Sequence, residues 1–305
     1  MNSIAPETVA GDTKTAEYKE NGFVVIEHIY SPEDIREMSD ALDELIESAR
    51  GLADHTAVID LEPSHTPDNP RVRRIKDPTV NHPTFDRMLR HPRLIAALTA
   101  LIGPNLRLHG SKINLKAAGF GSPVEWHQDW AFYPHTNDDV LAVGVMLDDM
   151  EEENGPLLCI PGSQTGPTYD HHQDGRFIGA IDPENCEIDF GKAVAITGKA
   201  GACSFHHART LHASGPNVSD RDRRLLLFQI AAADAWDLRG MDRIGSWAQY
   251  EETIIAGEAT NEPRIVPAPV RLPYPDPLKS GSIYESQSVV RNKFFETQNQ
   301  PETTQ

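Results

Sequence analysis

Between residues 105 and 233 the chain is a succession of short apolar or alternating runs, separated by turns that contain Gly, Pro or Asn. Strands present successive side chains to opposite faces, and runs this short fit strands better than helices. Many short strands with such turns are typical of a β-sandwich or barrel. The runs are 106–116, 140–147, 157–163, 193–196, 203–206 and 224–233. The sequence therefore predicts a mainly β fold centred on this segment.

The residues before this segment carry helical patterns that predict support for the sheets. Residues 14–26 predict a short helix followed by a buried strand. Ser31 precedes a proline and two acidic residues, which is typical of a helix start. Apolar side chains then recur at helical spacing over residues 32–49, and residues 84–101 predict two more helical pieces.

The charge balance excludes several classes of partner. The chain of 305 residues has 28 Lys and Arg against 46 Asp and Glu, a net charge of −18. Such a chain is unsuited to nucleic-acid phosphates and to anionic membranes, so neither partner is expected. Its three cysteines lack the CxxC spacing of a zinc site. With no signal peptide or apolar span in the sequence, a cytoplasmic protein is expected.

The chemistry is expected at His127-Gln128-Asp129. If residues 125–131 form one strand, His127 and Asp129 share a face and Gln128 points away. An imidazole nitrogen and a carboxylate oxygen on one face supply two of the three ligands of a facial metal site, as in non-haem Fe(II) oxygenases. His-x-Asp alone is a weak signal in a chain with 13 histidines. The third ligand has to come from a distant segment.

A second polar segment provides a candidate, because His212 lies just before a Gly-Pro turn. Arg223 follows eleven residues later and opens an apolar strand. A guanidinium there could hold a carboxylate through two parallel hydrogen bonds, which a dicarboxylate such as 2-oxoglutarate requires. Arg221 and Arg224 are neighbours that could be confused with Arg223, although Arg224 would face the opposite way on a strand.

Four segments spread over roughly residues 18–232 resemble, in the right order, the phytanoyl-CoA dioxygenase family of Fe(II)- and 2-oxoglutarate-dependent oxygenases. They are EYKENGFVVIEHIYSPEDI, WHQDW, LDDMEEENGPLLCIPGSQ and GACSFHHARTLHASGPNVSDRDRR. The four together are specific, whereas no single one is. Gln164 departs from the pattern, since family members often have His after Ile-Pro-Gly-Ser, but that position is not a ligand.

The resemblance implies a double-stranded β-helix, a cupin-like jelly roll, with N-terminal helices packed on the barrel. His127, Asp129 and His212 match the metal ligands of the family, so the resemblance implies that they bind Fe(II). Arg223 matches the arginine that anchors 2-oxoglutarate.

One strand row remains open to two interpretations. Lys112, Asn114 and Lys116 share one face of the strand over residues 106–116. A polar row is either solvated or lines a polar cavity. The resemblance places Lys112 and Asn114 in the cofactor pocket, although both match the family only loosely.

The resemblance also implies a reaction. O2 and 2-oxoglutarate are consumed, an unactivated C–H of a small organic molecule or natural product is hydroxylated, and succinate and CO2 are released. The carboxylate of Asp129 favours hydroxylation or desaturation over halogenation, because related halogenases have Gly or Ala there. Three alternatives stay open: an acyl-CoA hydroxylase of the same family, a zinc or manganese cupin-type enzyme, and a non-catalytic binding protein. Residues 164–191 show no basic cluster suited to CoA phosphates.

The expected organisation is a flexible tail over residues 1–12, a single oxygenase domain over 13–262, and a Pro-rich, polar extension over 263–305 that wraps the surface. The barrel core is expected at about 105–233. The partner is a small-molecule substrate, and the chain is either a monomer or a homo-oligomer.

Some of the other aromatic and histidine residues are expected to pack in the core, and others to line the pocket or face solvent. Two of the aromatic residues near His127 should pack in the core, and the others could line the pocket. One residue of the pair His206-His207 should pack while the other is exposed, and the pair His171-His172 should lie in a solvated loop. The four aromatic residues are Trp126, Trp130, Phe132 and Tyr133.

Overall fold

The computed structural model describes residues 9–119, 121–240, 244–278 and 282–295. Within these ranges the helices are α1 (Asp12–Asn21), α2 (Pro32–Glu47), α3 (Pro78–Asn81), α4 (Pro83–Leu89), α5 (Pro92–Ile102), α6 (Trp247–Glu252) and α7 (Ile283–Gln287). The strands are β1 (Phe23–Ile26), β2 (Ile59–Leu61), β3 (Val72–Lys76), β4 (Leu106–Lys116), β5 (Val124–His127), β6 (Val140–Met146), β7 (Leu157–Cys159), β8 (His172–Gln173), β9 (Arg176–Phe177), β10 (Val194–Ile196), β11 (Cys203–His207), β12 (His212–Ser214), β13 (Arg223–Ala232) and β14 (Ile254–Ala256). Most of the tail predicted over residues 1–12 lies outside the described residues. No helix in the described ranges is long and apolar enough to cross a bilayer.

Two antiparallel sheets form the body of the fold. The larger has the order β1-β11-β6-β13-β4-β3-β2, with β14 also paired to β4, and the smaller has the order β10-β7-β12-β5. Side chains from β4, β6 and β13 on one side, and from β5, β7 and β12 on the other, line a cavity between the sheets. Neighbouring strands that are distant in sequence, arranged in two facing sheets, are typical of a jelly roll. The predicted fold class is confirmed.

The strand prediction was wrong at one position that matters for the site. The run over residues 125–131 is not one strand, because β5 ends at His127 and a 3₁₀ helix over Asp129–Ala131 follows. The amide of Phe132 donates to the Asp129 carbonyl at 2.9 Å, so the backbone turns where a strand would have continued. The position of Asp129 is therefore set by a turn, and alternation along a strand does not explain it.

The N-terminal helices α2 and α5 pack on the larger sheet, as predicted. Ser31 begins α2 with a capping box, since its Oγ accepts from the Asp34 amide at 3.2 Å and the Asp34 carboxylate accepts from the Ser31 amide at 2.8 Å. The apolar stripe of α2 then packs with α5 on the sheet in one continuous core. Fully buried members of this core are Met38, Leu42, Leu98, Phe205 and Phe228.

Gly22 joins the first helix to the loop that precedes His212. It ends α1 with φ of 81°, and a Cβ there would lie 2.4 Å from Gln164 Oε1 and 2.6 Å from Thr210 Oγ1. Thr210 Oγ1 donates to the Gly22 carbonyl at 2.9 Å, and Gln164 Nε2 donates to the Lys19 carbonyl at 3.0 Å. Gln164 thus has a structural role in fastening α1 to the barrel.

The C-terminal extension does more than wrap the surface. Its helix α7 is inserted at the mouth of the barrel, where Tyr284, Ser286 and Gln287 are buried. Gln287 Oε1 accepts from the Glu125 amide at 3.0 Å, and Gln287 Nε2 donates to the Gly179 carbonyl at 2.7 Å. One side chain of the extension therefore fixes both β5 and the segment over residues 164–191.

Replacement of Leu42 by Ala should test the docking of α2 on the sheet. Leu42 is 0% exposed, so the variant leaves a cavity and should lower the free energy of unfolding by about 2–5 kcal/mol in urea titrations. Val80→Ala is the control, because Val80 is 83% exposed and its truncation should change that free energy by about 0.5 kcal/mol or less. Equal effects of the two substitutions would contradict this packing.

Candidate active site

Two distant segments meet at the site because β5 pairs with β12 in antiparallel register. His127 lies directly opposite His212 in this pairing, and their ring centroids are 4.1 Å apart. The turn after β5 returns the carboxylate of Asp129 to the same place, with Oδ1 3.9 Å from His127 Nε2. One ligand atom from each of the three residues lies within 4.8 Å of the others, and all three side chains are buried. The arrangement could hold one metal ion.

Backbone carbonyls orient both histidine rings. His127 Nδ1 lies 2.8 Å from the Glu125 carbonyl, and His212 Nδ1 lies 2.9 Å from the Thr210 carbonyl. A carbonyl only accepts, so each Nδ1 carries the proton and each Nε2 keeps a free lone pair. Burial lowers the pKa of His127 to about 4 and holds the pKa of His212 well below its usual value. Both rings are therefore neutral at physiological pH, the state in which imidazole binds a metal.

Asp129 remains ionised although it is buried. Burial alone would raise the pKa of its carboxyl, but His206, His212 and Lys112 lie around it and together hold the pKa well below its usual range. The cluster thus presents two neutral nitrogens and one anionic oxygen. This is the donor set that suits non-haem iron.

His206 is a member of the site that the sequence did not single out. It is 2% exposed, and its Nε2 lies 3.7 Å from Asp129 Oδ2. His207 beside it is half-buried, so the expectation that one of the pair is exposed was wrong. Alternation along β11 could have found His206, because Phe205 packs under the helices and its neighbours must face the cavity.

Gln128 points away from the cavity, as predicted, and holds the segment over residues 164–191. Its Nε2 donates to the carbonyls of Pro167 and Arg209 at 3.0 and 2.8 Å. Its backbone amide donates to His171 Nε2 at 2.9 Å. His171 is 1% exposed, so the expectation of a solvated loop was wrong for this residue. No sequence pattern predicts that His171 is buried, because its partner is a backbone amide, which every residue type except proline provides.

Arg223 is a buried guanidinium with no counter-ion in the described part of the chain. Its Nη2 donates to the Gly155 carbonyl at 3.0 Å and approaches Ser214 Oγ at 3.4 Å. Its Nε and Nη1 are buried and have no hydrogen-bond partner among the described residues. Burial lowers the pKa of Arg223 to about 10, so it is still charged at neutral pH. Unpaired buried donors are rare in folded proteins and indicate an absent ligand, in this case an anion.

The two neighbouring arginines point elsewhere. Arg224 faces out of the barrel and forms an ion pair with Asp148 at 2.7 Å. Arg221 is exposed and pairs with Glu151 and Glu153. Of the three, only Arg223 lines the cavity that contains His127, Asp129 and His212.

Lys116 and Ser214 extend the cationic end of this cavity. Lys116 is 1% exposed, and its Nζ donates to Ser214 Oγ at 2.6 Å and to the Gly215 carbonyl. Burial first, and then the charge of Arg223, hold the pKa of Lys116 well below its usual value. The sequence placed Lys116 in the polar row of β4 but assigned no role to it or to Ser214. Their proximity to Arg223 depends on the pairing of strands that are far apart in the chain.

The polar row of β4 lines the cavity, which decides between the two open interpretations of that row. Asn114 faces the cavity interior, and its Oδ1 is buried without a hydrogen-bond partner among the described residues. Lys112 lies where the inner cavity meets an outer cleft, next to Asp129. Burial lowers the pKa of Lys112, whereas the charge of Asp129 raises it.

An outer cleft of about 590 Å³ opens above Asp129. Phe132 and Tyr133 line it, and Phe132 lies edge-on to His127 with ring centroids 5.7 Å apart. Trp126 and Trp130 are 1% and 0% exposed and pack in the core. Two of the four aromatic residues thus pack and two line the cleft, as expected. A larger groove of about 890 Å³ elsewhere includes none of the His/Asp cluster in its lining.

Acid should destabilise the metal-free protein through its buried histidines, and His171 provides a test. Burial lowers the pKa of His171 to about 3, whereas an unfolded histidine has a pKa of about 6.5. As pH falls from 6.5 towards 3, only the unfolded state takes up this proton, so stability is present above that window and is lost within it. His171→Gln should therefore reduce the loss of unfolding free energy between pH 7 and pH 5 by about 2 kcal/mol.

Urea titrations at the two pH values measure this difference, and Val80→Ala is the control, since Val80 is 83% exposed and has no titratable group. The control should lose as much stability between pH 7 and pH 5 as the unmodified protein. If His171→Gln lost as much as well, the ring would not be held neutral in the folded state.

Known proteins can be compared with this fold and site. A probable alpha-ketoglutarate-dependent hypophosphite dioxygenase of Stutzerimonas stutzeri is 38% identical over 283 residues, covering 92% of this chain and 98% of that protein. An ectoine dioxygenase of Bordetella parapertussis is 30% identical, covering 66% of this chain and 69% of that protein. Each of these names states the activity of the relative that carries it.

Solved structures show the same fold. EctD from S. alaskensis with 2-oxoglutarate and 5-hydroxyectoine superposes with a TM-score of 0.63 at 22% identity, covering 87% of this chain and 89% of that one. The form of EctD with bound Fe superposes with a TM-score of 0.62, covering 76% of this chain and 80% of that one. The Phytanoyl-CoA dioxygenase (PhyH) family model matches residues 18–225. The chain therefore belongs to the PhyH family and is an iron- and 2-oxoglutarate-dependent dioxygenase.

Proposed function

We propose that His127, Asp129 and His212 bind the Fe(II) of this dioxygenase, and that Arg223 binds the far carboxylate of 2-oxoglutarate. The substrate then occupies the outer cleft above Asp129. A reduced phosphorus oxyanion, hypophosphite, is the first candidate substrate. The relative named for that activity supports this choice, because it matches 92% of this chain at 38% identity.

The observation that carries the assignment is the unpaired guanidinium of Arg223 in the same cavity as the His/Asp cluster. A carboxylate would accept from its free Nε and Nη1 and would satisfy both donors. Lys116 and Ser214 lie beside it, so an amine and a hydroxyl join the guanidinium at this end of the cavity. The donors fit a dicarboxylate whose other end reaches the metal.

The protein residues around the cluster position the reactants. His127 and His212 are held by backbone carbonyls, so their Nε2 atoms stay aimed at one point. When bound, Fe(II) and 2-oxoglutarate supply the activation of dioxygen. Burial, with the charge of Asp129, holds the pKa of Tyr133 well above its usual value, so its hydroxyl keeps its proton. That hydroxyl accepts from Gln229 Nε2 at 3.1 Å and keeps the wall of the cleft in place.

Oxidation of a C–H bond in a small organic molecule is the second candidate. The cleft of about 590 Å³ favours it, because hypophosphite would fill only a small part of that space. The ectoine dioxygenase relative acts, by its name, on an organic compound. Reconstituted enzyme should therefore be supplied with Fe(II), 2-oxoglutarate and either hypophosphite or ectoine, and succinate measured. Succinate formation coupled to hypophosphite supports the first candidate, and coupling to ectoine alone supports the second.

Replacement of a metal ligand should abolish both iron binding and turnover. His127→Ala and Asp129→Ala should each weaken Fe(II) binding by at least about 100-fold, because loss of a ligand costs more than loss of an outer partner. Iron content after dialysis and succinate release measure the two effects. His206→Asn is the matched control, since His206 lies beside Asp129 but outside the triad. If His206→Asn lost iron and His127→Ala kept it, the triad assignment would be wrong.

Replacement of Arg223 should weaken the binding of 2-oxoglutarate without changing the binding of Fe(II). Arg223→Gln should raise the KM for 2-oxoglutarate by about 10- to 100-fold, because one charge-assisted hydrogen-bonded pair is lost, while Fe(II) binding stays unchanged. Arg224→Gln on the same strand is the control, since Arg224 faces the opposite way and pairs with Asp148. Steady-state kinetics in 2-oxoglutarate separates the two variants. An unchanged KM in Arg223→Gln would rule out this anchor.

A further inference from the structure

A polar cluster at the outer cleft takes no part in the metal or cofactor assignment. It consists of Arg239, Asp237, His109 and His135, of which Arg239 and His109 line the cleft. Arg239 Nε lies 3.0 Å from each carboxylate oxygen of Asp237. Arg239 Nη2 also donates to Asp237 and lies 3.4 Å from His109 Nε2. The guanidinium is therefore held on two sides before any substrate enters.

The partners of Arg239 are themselves fixed. Asp237 is buried, it pairs with His135 through an isolated β-bridge, and it accepts from the Arg239 backbone amide at 2.8 Å. His135 Nδ1 donates to the Tyr133 carbonyl at 2.7 Å. Burial lowers the pKa of His135 to about 4 and that of His109 well below its usual value, so both rings are neutral. They support the guanidinium without adding charge.

Two cationic groups are left facing the cleft. Arg239 Nη1 and Lys112 Nζ make no hydrogen bond with any described residue, and both residues line the cleft with Asp129. Arg74 and Lys76 also line it, but both lie near Asp60, at 3.6 and 2.8 Å. Asp77 and Asp276 line the cleft as well, so its lining has no large surplus of positive charge. An anion is favoured over a neutral molecule because Arg239 Nη1 and Lys112 Nζ both lack a hydrogen-bond acceptor among the described residues.

We propose that Arg239 and Lys112 bind a negatively charged group of the substrate, a phosphorus oxyanion or a carboxylate, and that Asp237 and His109 hold Arg239 in position for this. The proposal rests on the proposed function, which places the substrate in the cleft. A guanidinium held by a carboxylate on one edge keeps its other edge available for a planar or tetrahedral anion.

A second metal ion is the competing occupant of the cluster. Ligand atoms of His109, His135 and Asp237 lie within 4.8 Å of one another, and His135 Nε2 is buried without a partner among the described residues. However, both oxygens of Asp237 already accept from Arg239. A divalent ion bound there would be repelled by the guanidinium of Arg239. The single carboxylate of Asp237 would have to neutralise both the ion and the guanidinium. The geometry therefore favours an anion at Arg239.

The test uses the holoenzyme with Fe(II) and saturating 2-oxoglutarate under nitrogen, so that no turnover occurs and the Arg223 site is filled. Calorimetric titrations compare hypophosphite, acetate and acetamide, the uncharged analogue of acetate. At least one of the two anions should bind at least about 10-fold more tightly than acetamide. Whether hypophosphite or acetate binds more tightly distinguishes an oxyanion site from a carboxylate site.

Variants assign the binding to the cluster. Arg239→Gln should lower the affinity for the more tightly bound anion by about 10- to 100-fold. Arg239→Lys should keep part of that affinity because it retains the positive charge. Arg87→Gln is the control, since Arg87 is an exposed arginine that pairs with Glu37 on the helical side. It should bind the anion as the unmodified enzyme does.

Three results would overturn the inference. They are equal binding of acetate, hypophosphite and acetamide, an unchanged affinity in Arg239→Gln, and a second equivalent of bound metal that is lost in His135→Ala. Failure of the proposed function has a different signature. If neither hypophosphite nor ectoine stimulated succinate formation but anion binding still depended on Arg239, the proposed substrates would be wrong and the anion site would be retained.

Discussion

The antiparallel pairing of β5 with β12 is the constraint on which the site depends. It places His127 opposite His212, two residues that are 85 positions apart in the chain, with their rings 4.1 Å apart. The turn after β5 then brings Asp129 to the same point. The contact of Gly22 with the loop before His212, and Gln287 from the extension, hold these two strand ends. A site assembled from strand ends needs such support, because ligand geometry tolerates little displacement.

Buried positive charge is the second theme of the structure. The chain is acidic as a whole, yet Arg223 and Lys116 are buried side by side, and Arg239 and Lys112 face the outer cleft. Burying a charge without a partner is costly, so the free Nε and Nη1 of Arg223 indicate a ligand of opposite charge at that end of the cavity. The inner pair fits the dicarboxylate that the family uses. Because the chain is an iron- and 2-oxoglutarate-dependent dioxygenase of that family, it is neither a zinc or manganese cupin-type enzyme nor a non-catalytic binding protein.

Much of the fold was predictable from local pattern. The bounds of β4 were predicted without error, and the helix start at Ser31 was confirmed by its capping box. The strand through Asp129 was wrong, because alternation carries no information about where a backbone turns into a 3₁₀ helix. The ligand roles of His127, Asp129 and His212 stay predictions. The structure adds that their donor atoms meet.

The sequence by itself indicated a mainly β chain, and its resemblance to one family implied the jelly roll, the candidate ligands His127, Asp129 and His212, and the choice of Arg223, because motif order is a property of the chain alone. Only the tertiary structure brought Lys116 and Ser214 to Arg223, turned the row of β4 towards a cavity, and placed Tyr284 at its mouth. Arg239 belongs to this second group, since its partner His109 lies 130 residues away. Such contacts arise from the packing of distant strands and loops, and no local pattern in the sequence encodes them.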